Sequence, residues 1–320
     1  MNQTHDIHPA PDGAISAWYE KATVRYTPRI IVPDYTSDAL IYPTALSIVC
    51  EHPLVAARDK EIRSFILTQS AYRFLYGVGL LETKFVIQCS LDLVHDRIFA
   101  IDDVKRLQAL TVIIDEGYHA HVALDYIVQM REKSGIAPLS VPQTNRKLDA
   151  TARAYAMLPP ALRMDFQLLA VTLAENVLTN EIATMGREKE LTKSYITLMT
   201  DHVADEGRHS NYFNDLMKVL WAQLDDTTQT TFGTLLPAFL DDFLGIDPHR
   251  VFEREMLSAC GFSSGDLQRI LDDTQGTYLS NHATLSTRTK TRLFRLMKTF
   301  GILDRDDVRG AFAAHGYPFQ

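Results

Sequence analysis

The feature that most limits how this chain can fold is a five-residue pattern, D-E-G-x-H, that occurs twice. It spans Asp115–His119 and again Asp205–His209, 90 positions later, and each copy lies in a long segment with helical periodicity. A single E-x-x-H says little, because on the order of half an instance is expected by chance in a chain of this composition. Two copies that share D-E-G are much harder to obtain by accident, so the repeat indicates a shared chemical role.

The spacing within each copy has a geometric reason. Helical residues three apart lie about 60° apart around the helix axis, so a Glu oxygen and a His nitrogen can reach one metal ion from one helix. Two antiparallel helices with this pair, plus one Glu from each of two other helices, form the di-metal site of ferritin-like bundles. The repeat therefore predicts four long helices packed around two metal ions.

Two further glutamates stand where the other two helices would supply them. Glu82 precedes Glu116 by 34 positions and Glu175 precedes Glu206 by 31, which fits neighbouring helices joined by turns. Both lie in apolar sequence, where a lone charge is costly to bury unless it is paired or bound to metal. Glu181 is the nearest rival to Glu175, but it lies toward a more polar end of its segment.

A third histidine adds to the second copy of the motif. His202, Glu206 and His209 form the string H-x-x-x-E-x-x-H, and on a helix all three project within about 60° of one another. His121, by contrast, faces about 160° away from the direction of Glu116 and His119. We therefore predict that His202 is a ligand and that His121 is a structural or surface residue.

The charges of these side chains suit two divalent cations. Four glutamates supply four negative charges, and without metal they would repel one another and several would bind protons. Nitrogen and oxygen ligands suit iron or manganese, and zinc is an alternative because ligand type alone does not select the metal. The aspartates that precede each Glu are predicted to orient the ligand histidines in a crossed manner, Asp115 with His209 and Asp205 with His119.

The rest of the sequence reads as an all-α protein. Residues 1–50 form an irregular arm or cap, and residues 51–320 form a single ferritin-like domain, with the core bundle at about 53–222 and added C-terminal helices over 223–320. Long helices are predicted at 53–70, 71–96, 102–131, 159–187 and 191–222, with a linker at 134–145. Shorter helices are predicted at 227–244, 248–258, 263–273, 285–300 and 304–314. No segment shows strand alternation flanked by hairpin turns.

Composition excludes several other classes. The net charge of −8 argues against a nucleic-acid partner. The three cysteines are far apart and odd in number, which argues against a zinc ribbon or a disulfide framework and favours a cytoplasmic protein. The most apolar stretch, residues 71–89, contains Arg73, Glu82 and Lys84. We therefore interpret it as a buried helix and expect no membrane partner.

The full set of spacings resembles the p-aminobenzoate N-oxygenase family of di-iron enzymes. The resemblance rests on Glu82, on the two repeated motifs, on Glu175, and on the third histidine that distinguishes that family, here His202. It implies seven ligands: Glu82, Glu116, His119, Glu175, His202, Glu206 and His209. It also implies that two iron ions activate dioxygen and pass oxygen to the nitrogen of a small amine, aromatic or amino-acid, in specialised-metabolite biosynthesis, with electrons from an external donor.

Three other functions remain open at this level. A ribonucleotide reductase radical subunit would place a tyrosine where this chain has Ala123. A di-iron fatty-acyl desaturase or carbon hydroxylase is the stronger enzyme rival, and a non-catalytic iron-binding protein is the third. We further expect a homodimer. If the substrate carries a carboxylate, Arg288, Arg292 and Arg295 are candidates to bind it, because a guanidinium matches the geometry of a carboxylate.

Overall fold

The computed structural model describes residues 13–317, apart from the side chains of residues 180, 181 and 184. Within that range the chain is helical and contains no β-strand. The predicted all-α class, a ferritin-like four-helix core with additional C-terminal helices, is confirmed. Glu181, the rival ligand, lies outside the described side chains.

Four long helical segments form the core. The first consists of α4 (Lys60–Leu81), a π-helical turn (Glu82–Val86) and α5 (Ile87–Val94) in unbroken succession. The others are α6 (Asp103–Ser134), α8 (Arg163–Met185) and α9 (Lys193–Gln223). The α4–α5 segment packs along α6, α8 packs along α9, and α6–α9 and α5–α8 contacts join the two pairs.

The arm before the bundle is more ordered than its sequence predicted. It contains α1 (Gly13–Lys21), α2 (Thr23–Tyr26) and two 3₁₀ turns (Thr44–Leu46 and Ile48–Glu51), followed by the short α3 (Pro53–Ala56). Helices α1 and α2 lie on α6, and α2 also contacts α9. Residues 1–12 lie outside the described part of the chain.

The elements after the core pack against it and against one another. They are α10 (Asp226–Phe243), α11 (Val251–Ala259), α12 (Ser264–Thr299), a 3₁₀ turn (Ile302–Asp304) and α13 (Asp306–Ala314). Helix α10 packs on α13 and on α7 (Arg146–Met157), and α12 packs on α8 and α11. Their buried side chains belong to the same hydrophobic cluster as those of the four-helix core.

Two breaks predicted between helices are absent from the structure, and one helix was not predicted. The predicted helices 53–70 and 71–96 are one continuous segment from Lys60, because no helix-breaking residue interrupts it. The predicted helices 263–273 and 285–300 are also one, α12. The hydroxyls of Thr274 and Thr284 in this helix donate to carbonyls one turn earlier and so do not interrupt it. Helix α7 was not predicted; Asn145 caps it by accepting a bond from the Leu148 N–H at 3.0 Å.

The predicted linker after α6 is confirmed. Gly135 ends α6 with a φ of 70°, a left-handed conformation that glycine adopts without strain.

One helical segment, Lys60–Val94, is long and apolar enough to cross a membrane by length and composition alone. Buried core helices pass the same test. Its packing against α6 and the fully buried Glu82 within it fit a core helix of the bundle. The cytoplasmic location stays a prediction.

Candidate metal centre

Each of the four core helices brings one predicted glutamate into the interior. Glu82, Glu116, Glu175 and Glu206 are all at most 1% exposed. Four carboxylates are therefore enclosed by a bundle whose other interior residues are mostly apolar. Such burial is very costly for unpaired charge, so the geometry requires either protons or cations at this point.

Glu82 occupies a special backbone position. It begins the π-helical turn Glu82–Val86, and single π turns inside α-helices are frequent at functional sites. The Thr83 hydroxyl donates to the Gly79 carbonyl at 2.6 Å, within the same widened stretch. The extra residue in this turn changes how the side chains before and after it are directed, and no sequence signal predicted it.

The seven predicted ligands come together as two adjacent groups. Ligand atoms of Glu82, His119 and His202 lie within 4.8 Å of one another, and the same holds for a second group consisting of Glu116, Glu175, Glu206 and His209. The predicted ligands thus fall into a group of three and a group of four.

His202 and Glu206 lie where the two groups meet. The His202 Nε2 atom is 3.3 Å from a Glu82 oxygen and 2.9 Å from a Glu206 oxygen. Its ring also stacks on the His119 ring with centroids 4.0 Å apart. A histidine nitrogen placed between two buried carboxylates from different helices suits a shared cation.

The polar atoms that face one another here make no hydrogen bonds within the described structure. The set contains both carboxylate oxygens of Glu82, Glu116 and Glu206, one oxygen of Glu175, and one nitrogen of each of His119, His202 and His209. Buried polar atoms without partners are rare. Ten of them converging on one point fit two cations bound by oxygen and nitrogen.

The crossed aspartate–histidine pairs are present. Asp115 lies 3.1 Å from His209 Nε2, and Asp205 lies 3.1 Å from His119 Nε2. Each histidine then directs its Nδ1 atom to the glutamates. A carboxylate that accepts the Nε2–H fixes the tautomer and leaves Nδ1 with a free lone pair for a metal.

Three further residues, which the sequence analysis did not single out, donate hydrogen bonds to these two aspartates. Arg208 Nη2 donates to Asp115 at 3.1 Å and also to Asp205, so one guanidinium joins the two aspartates. From the arm, the Trp18 Nε1–H donates to Asp115 at 2.8 Å, and the Thr23 hydroxyl donates to Asp205. Arg208 is the variable residue of the second motif, and neither its position nor the arm's composition predicted these contacts.

The titration of these groups shows how the site is balanced in the absence of cations. Burial and the charge of Glu116 raise the pKa of Glu82 well above its ordinary value. Burial and the charge of Glu206 do the same to the pKa of Glu175. Burial lowers the pKa of His119, but the bond to Asp205 and the nearby charges of Glu116 and Glu82 outweigh it and raise that pKa to about 10. The site therefore holds protons that cations would displace.

A cavity of about 690 Å³ is lined by residues close in sequence to two of the glutamates, although none of the seven predicted ligands is among the described residues that line it. Leu81, which directly precedes Glu82, and Leu178, one turn after Glu175, both line it. A volume in this range is typical of small-molecule sites. A separate cavity of about 20 Å³ adjoins His119 and His202, enough for about one water-sized molecule.

The three arginines predicted to hold a substrate carboxylate lie elsewhere. Arg288, Arg292 and Arg295 are in the second half of α12, and none is among the described residues that line the large cavity. Arg73 lines it instead, with its guanidinium 4.5 Å above the Phe252 ring. Of the cavity's four arginines it is the one with no carboxylate within 4 Å among the described residues, since Arg146 and Arg153 pair with Asp242 and Arg250 with Glu253.

Comparison with known proteins gives a family match for most of the chain. The family model of p-aminobenzoate N-oxygenase AurF matches residues 33–255. A curated relative, the 4-aminobenzoate N-oxygenase of Streptomyces thioluteus, is 24% identical over 237 residues, which is 72% of this chain and 69% of the relative. The family match contains all seven predicted ligands, whereas Trp18, Thr23 and α12 lie outside it.

Proposed function

Because this chain belongs to the p-aminobenzoate N-oxygenase family, we propose that it is a di-iron amine N-oxygenase. It binds two iron ions through the seven buried glutamates and histidines and transfers one oxygen atom of dioxygen to the nitrogen of a small amine. The observation that carries the proposal is the convergence of ten buried polar atoms without partners. Manganese or zinc could substitute in the same ligand set.

When bound, the metal pair supplies dioxygen activation and two-electron chemistry that side chains cannot perform. For the first oxidation, the amine, dioxygen, two electrons and two protons give a hydroxylamine and water. An external electron donor provides the electrons. Repetition on the same nitrogen leads to nitroso and nitro products, and such products fit a role in specialised-metabolite biosynthesis.

The chain's own residues position the ligands and control access. Asp115 and Asp205 hold the Nε2 protons of His209 and His119, so that both Nδ1 atoms face inward. Arg208 offsets part of the charge of the two aspartates. The surrounding apolar helices exclude bulk water from the site, which strengthens every electrostatic interaction inside it.

The large cavity supports an amine substrate better than an acyl chain. Its lining has eight charged side chains: Arg73, Arg146, Lys147, Asp149, Arg153, Asp247, Arg250 and Glu253. A long apolar tail would leave these groups poorly solvated, which weighs against a desaturase or carbon hydroxylase. Arg73 is suited to bind an anionic group of the substrate, in place of the three α12 arginines.

The first test is anaerobic loading with ferrous iron, followed by metal analysis and absorption spectra as oxygen is admitted. About two irons per chain and a visible band that depends on oxygen are expected, and a screen of amines that includes 4-aminobenzoate should then yield N-oxygenated product. One metal or none, or no response to oxygen, would remove the proposal. Arg73→Ala should raise the KM for a carboxylate-bearing amine more than the KM for an uncharged one, with Arg73→Lys intermediate.

A further inference from the structure

The small cavity beside His119 and His202, of about 20 Å³, has a regular place in the bundle. Three core helices each line it with an apolar side chain that lies one helical turn from a predicted ligand. These pairs are Val78 with Glu82, Ala123 with His119, and Leu198 with His202. One turn is about 5.4 Å, so the cavity adjoins the group of three ligands on all three helices.

The inner wall of this cavity is apolar. Leu75 and Met199 line it together with the three residues just named, and all five side chains are at most 5% exposed. The ligand nitrogens next to it are directed elsewhere, since His119 Nε2 faces Asp205 and His202 Nε2 faces Glu206. A buried water needs about two to four polar partners. The inner end of the cavity therefore suits a small apolar molecule better than water.

The outer end of the cavity lies beneath the arm and is more polar. Thr23 and Ile30 of the arm line it, together with Tyr118 and Val122 of α6 and Asp201 of α9. All of these except Thr23 are half-buried. One oxygen of Asp201 has no hydrogen-bond partner within the described structure. The lining thus changes from polar near the surface to apolar beside the ligands.

We propose that this cavity is the entry pocket for dioxygen, separate from the cavity that receives the amine. Dioxygen is small and apolar, and the buried inner wall offers it a matching surface. A space of about 20 Å³ is too small for an aromatic amine. The inference rests on the proposed function, because it assigns a route to the second substrate of that reaction.

Val78 lies between the two routes. It is the residue that lines both the small and the large cavity among the described residues, and it is 5% exposed. The large cavity has a charged lining, whereas the inner end of the small one is apolar. Dioxygen can therefore reach the group of three from one side of Val78 while an amine fills the large cavity on the other side.

The first test uses xenon, an apolar atom that enters dry apolar cavities, on the metal-free full chain. Methyl NMR spectra under xenon pressure should show shifts at Leu75, Leu198 and Met199. Ala123→Leu should abolish them, because the larger side chain fills the space. Ala39→Leu is the matched control, since Ala39 lines a separate cavity of about 30 Å³ that none of the seven ligands lines among the described residues; the shifts should persist.

Two further variants keep this test decisive if Ala123→Leu does not fold. Ala123→Val is a smaller addition and should weaken xenon binding. Leu198→Ala enlarges the cavity and should strengthen it.

The second test is the rate at which the ferrous-loaded protein reacts with dioxygen, followed by stopped-flow absorption. Ala123→Leu should slow this reaction by about tenfold or more, with two irons retained and the KM for the amine unchanged. Gly77→Leu should have the converse effect. Gly77 lines the large cavity, and a side chain there would meet nothing within 4 Å, so the variant should raise the KM for the amine and leave the oxygen rate unchanged.

Several results would overturn the proposal. Xenon shifts that are absent, or that survive Ala123→Leu, would show that the cavity does not take apolar molecules. Equal slowing by Ala123→Leu and Ala39→Leu, or slowing by Gly77→Leu alone, would place the dioxygen route elsewhere. A normal oxygen response without xenon binding would remove this assignment alone, whereas xenon binding without any oxygen response would remove the proposed function as well.

Discussion

The two copies of D-E-G-x-H lie on α6 and α9 and are alike on their inner faces. Each contributes one Glu and one His to the buried centre, and each aspartate holds the histidine of the other helix. Their outer faces differ, because α6 exposes four large apolar residues (Leu107, Leu110, Ile114 and Leu124). The exposed residues one turn either side of Gly207 on α9 are Ala204 and Asn211. The repeated Asp, Glu and His thus serve the centre, whereas the repeated glycines, Gly117 and Gly207, are exposed on the outer faces.

The copies also differ within the centre. His202 on α9 has no counterpart on α6, where the position four residues before Glu116 is Val112. As a result the group of three contains one carboxylate and two histidines, whereas the group of four contains three carboxylates and one histidine. The two groups therefore differ in charge, and the one with fewer carboxylates is expected to bind a cation less tightly.

The largest effect is expected from His202→Ala. The group of three would keep only Glu82 and His119, so its metal should be lost while the other is retained. Metal analysis should show about one iron per chain, and turnover should fall by more than the 10–100-fold typical of residues that only support ligands.

His95→Ala is the matched control, because His95 is exposed, belongs to neither group and does not line the large cavity. It should keep two metals and full activity. A His202→Ala protein that retains two irons and wild-type turnover would show that His202 is not a metal ligand.

The crossed aspartates allow the two copies to be compared directly. Asp205→Asn and Asp115→Asn should each reduce metal affinity or turnover by about 10–100-fold. The amide that replaces the carboxylate can turn its N–H toward the histidine Nε2 atom, and the histidine then loses its hydrogen-bond acceptor. Asp205 supports the group of three through His119, so its change should affect mainly the more weakly bound metal. Titration with ferrous iron under argon would test this, and equal loss from both positions would contradict the predicted difference.

The pH dependence of the metal-free protein is the next effect in size. The pKa values of Glu82 and Glu175 are raised, and that of His119 is raised to about 10. Each group therefore stabilises the fold below its ordinary pKa, and that contribution is lost as pH rises through the raised value. The Tm of chelator-treated protein should decrease as the pH is raised from 6.5 to 9.5.

The metal-loaded protein is the control for this measurement. Its ligands are already deprotonated, so its Tm should change less and the difference between loaded and metal-free protein should widen with pH. A metal-free protein that becomes more stable as pH rises would contradict the assignment of protons to these groups.

The smallest effect is expected from Trp18→Phe. It removes one hydrogen bond to Asp115, which keeps its bonds to His209 and Arg208. The free energy of unfolding should fall by about 1–3 kcal/mol, as measured by urea denaturation, with two metals retained. Tyr19→Phe, at an exposed neighbouring position, should change little; an equal loss in both variants would mean that the indole N–H contributes nothing specific.

Much of the fold could be predicted because helical periodicity is a local property. The bounds of α6, α8, α9, α10, α11 and α13 lie within about four residues of the predicted ones. The errors arose where local signals pointed to a break that tertiary packing did not require. The glycine and the hydroxyl residues in the middle of α12 are examples, since a long helix tolerates them when its ends are anchored.

The site was predictable where its geometry depends on the spacing of residues within a single helix. Spacing within a helix relates Glu116 to His119 and His202 to Glu206. Contacts between distant segments, such as Trp18 with Asp115, follow from packing and have no local signal. The π turn at Glu82 and the position of Arg73 in the cavity lining were missed for the same reason.

The contact between the arm and the centre has a consequence for how the newly made chain folds. Thr23 and Asp205 are 182 positions apart in sequence. At ribosomal rates of about 5–20 residues per second, the arm leaves the ribosome roughly 9–36 s before its partner has been made. The arm can meet α6 earlier, through Trp18 and Asp115, but its contact with Asp205 must wait for α9. The carboxylate network therefore cannot be completed until about two thirds of the chain has been made.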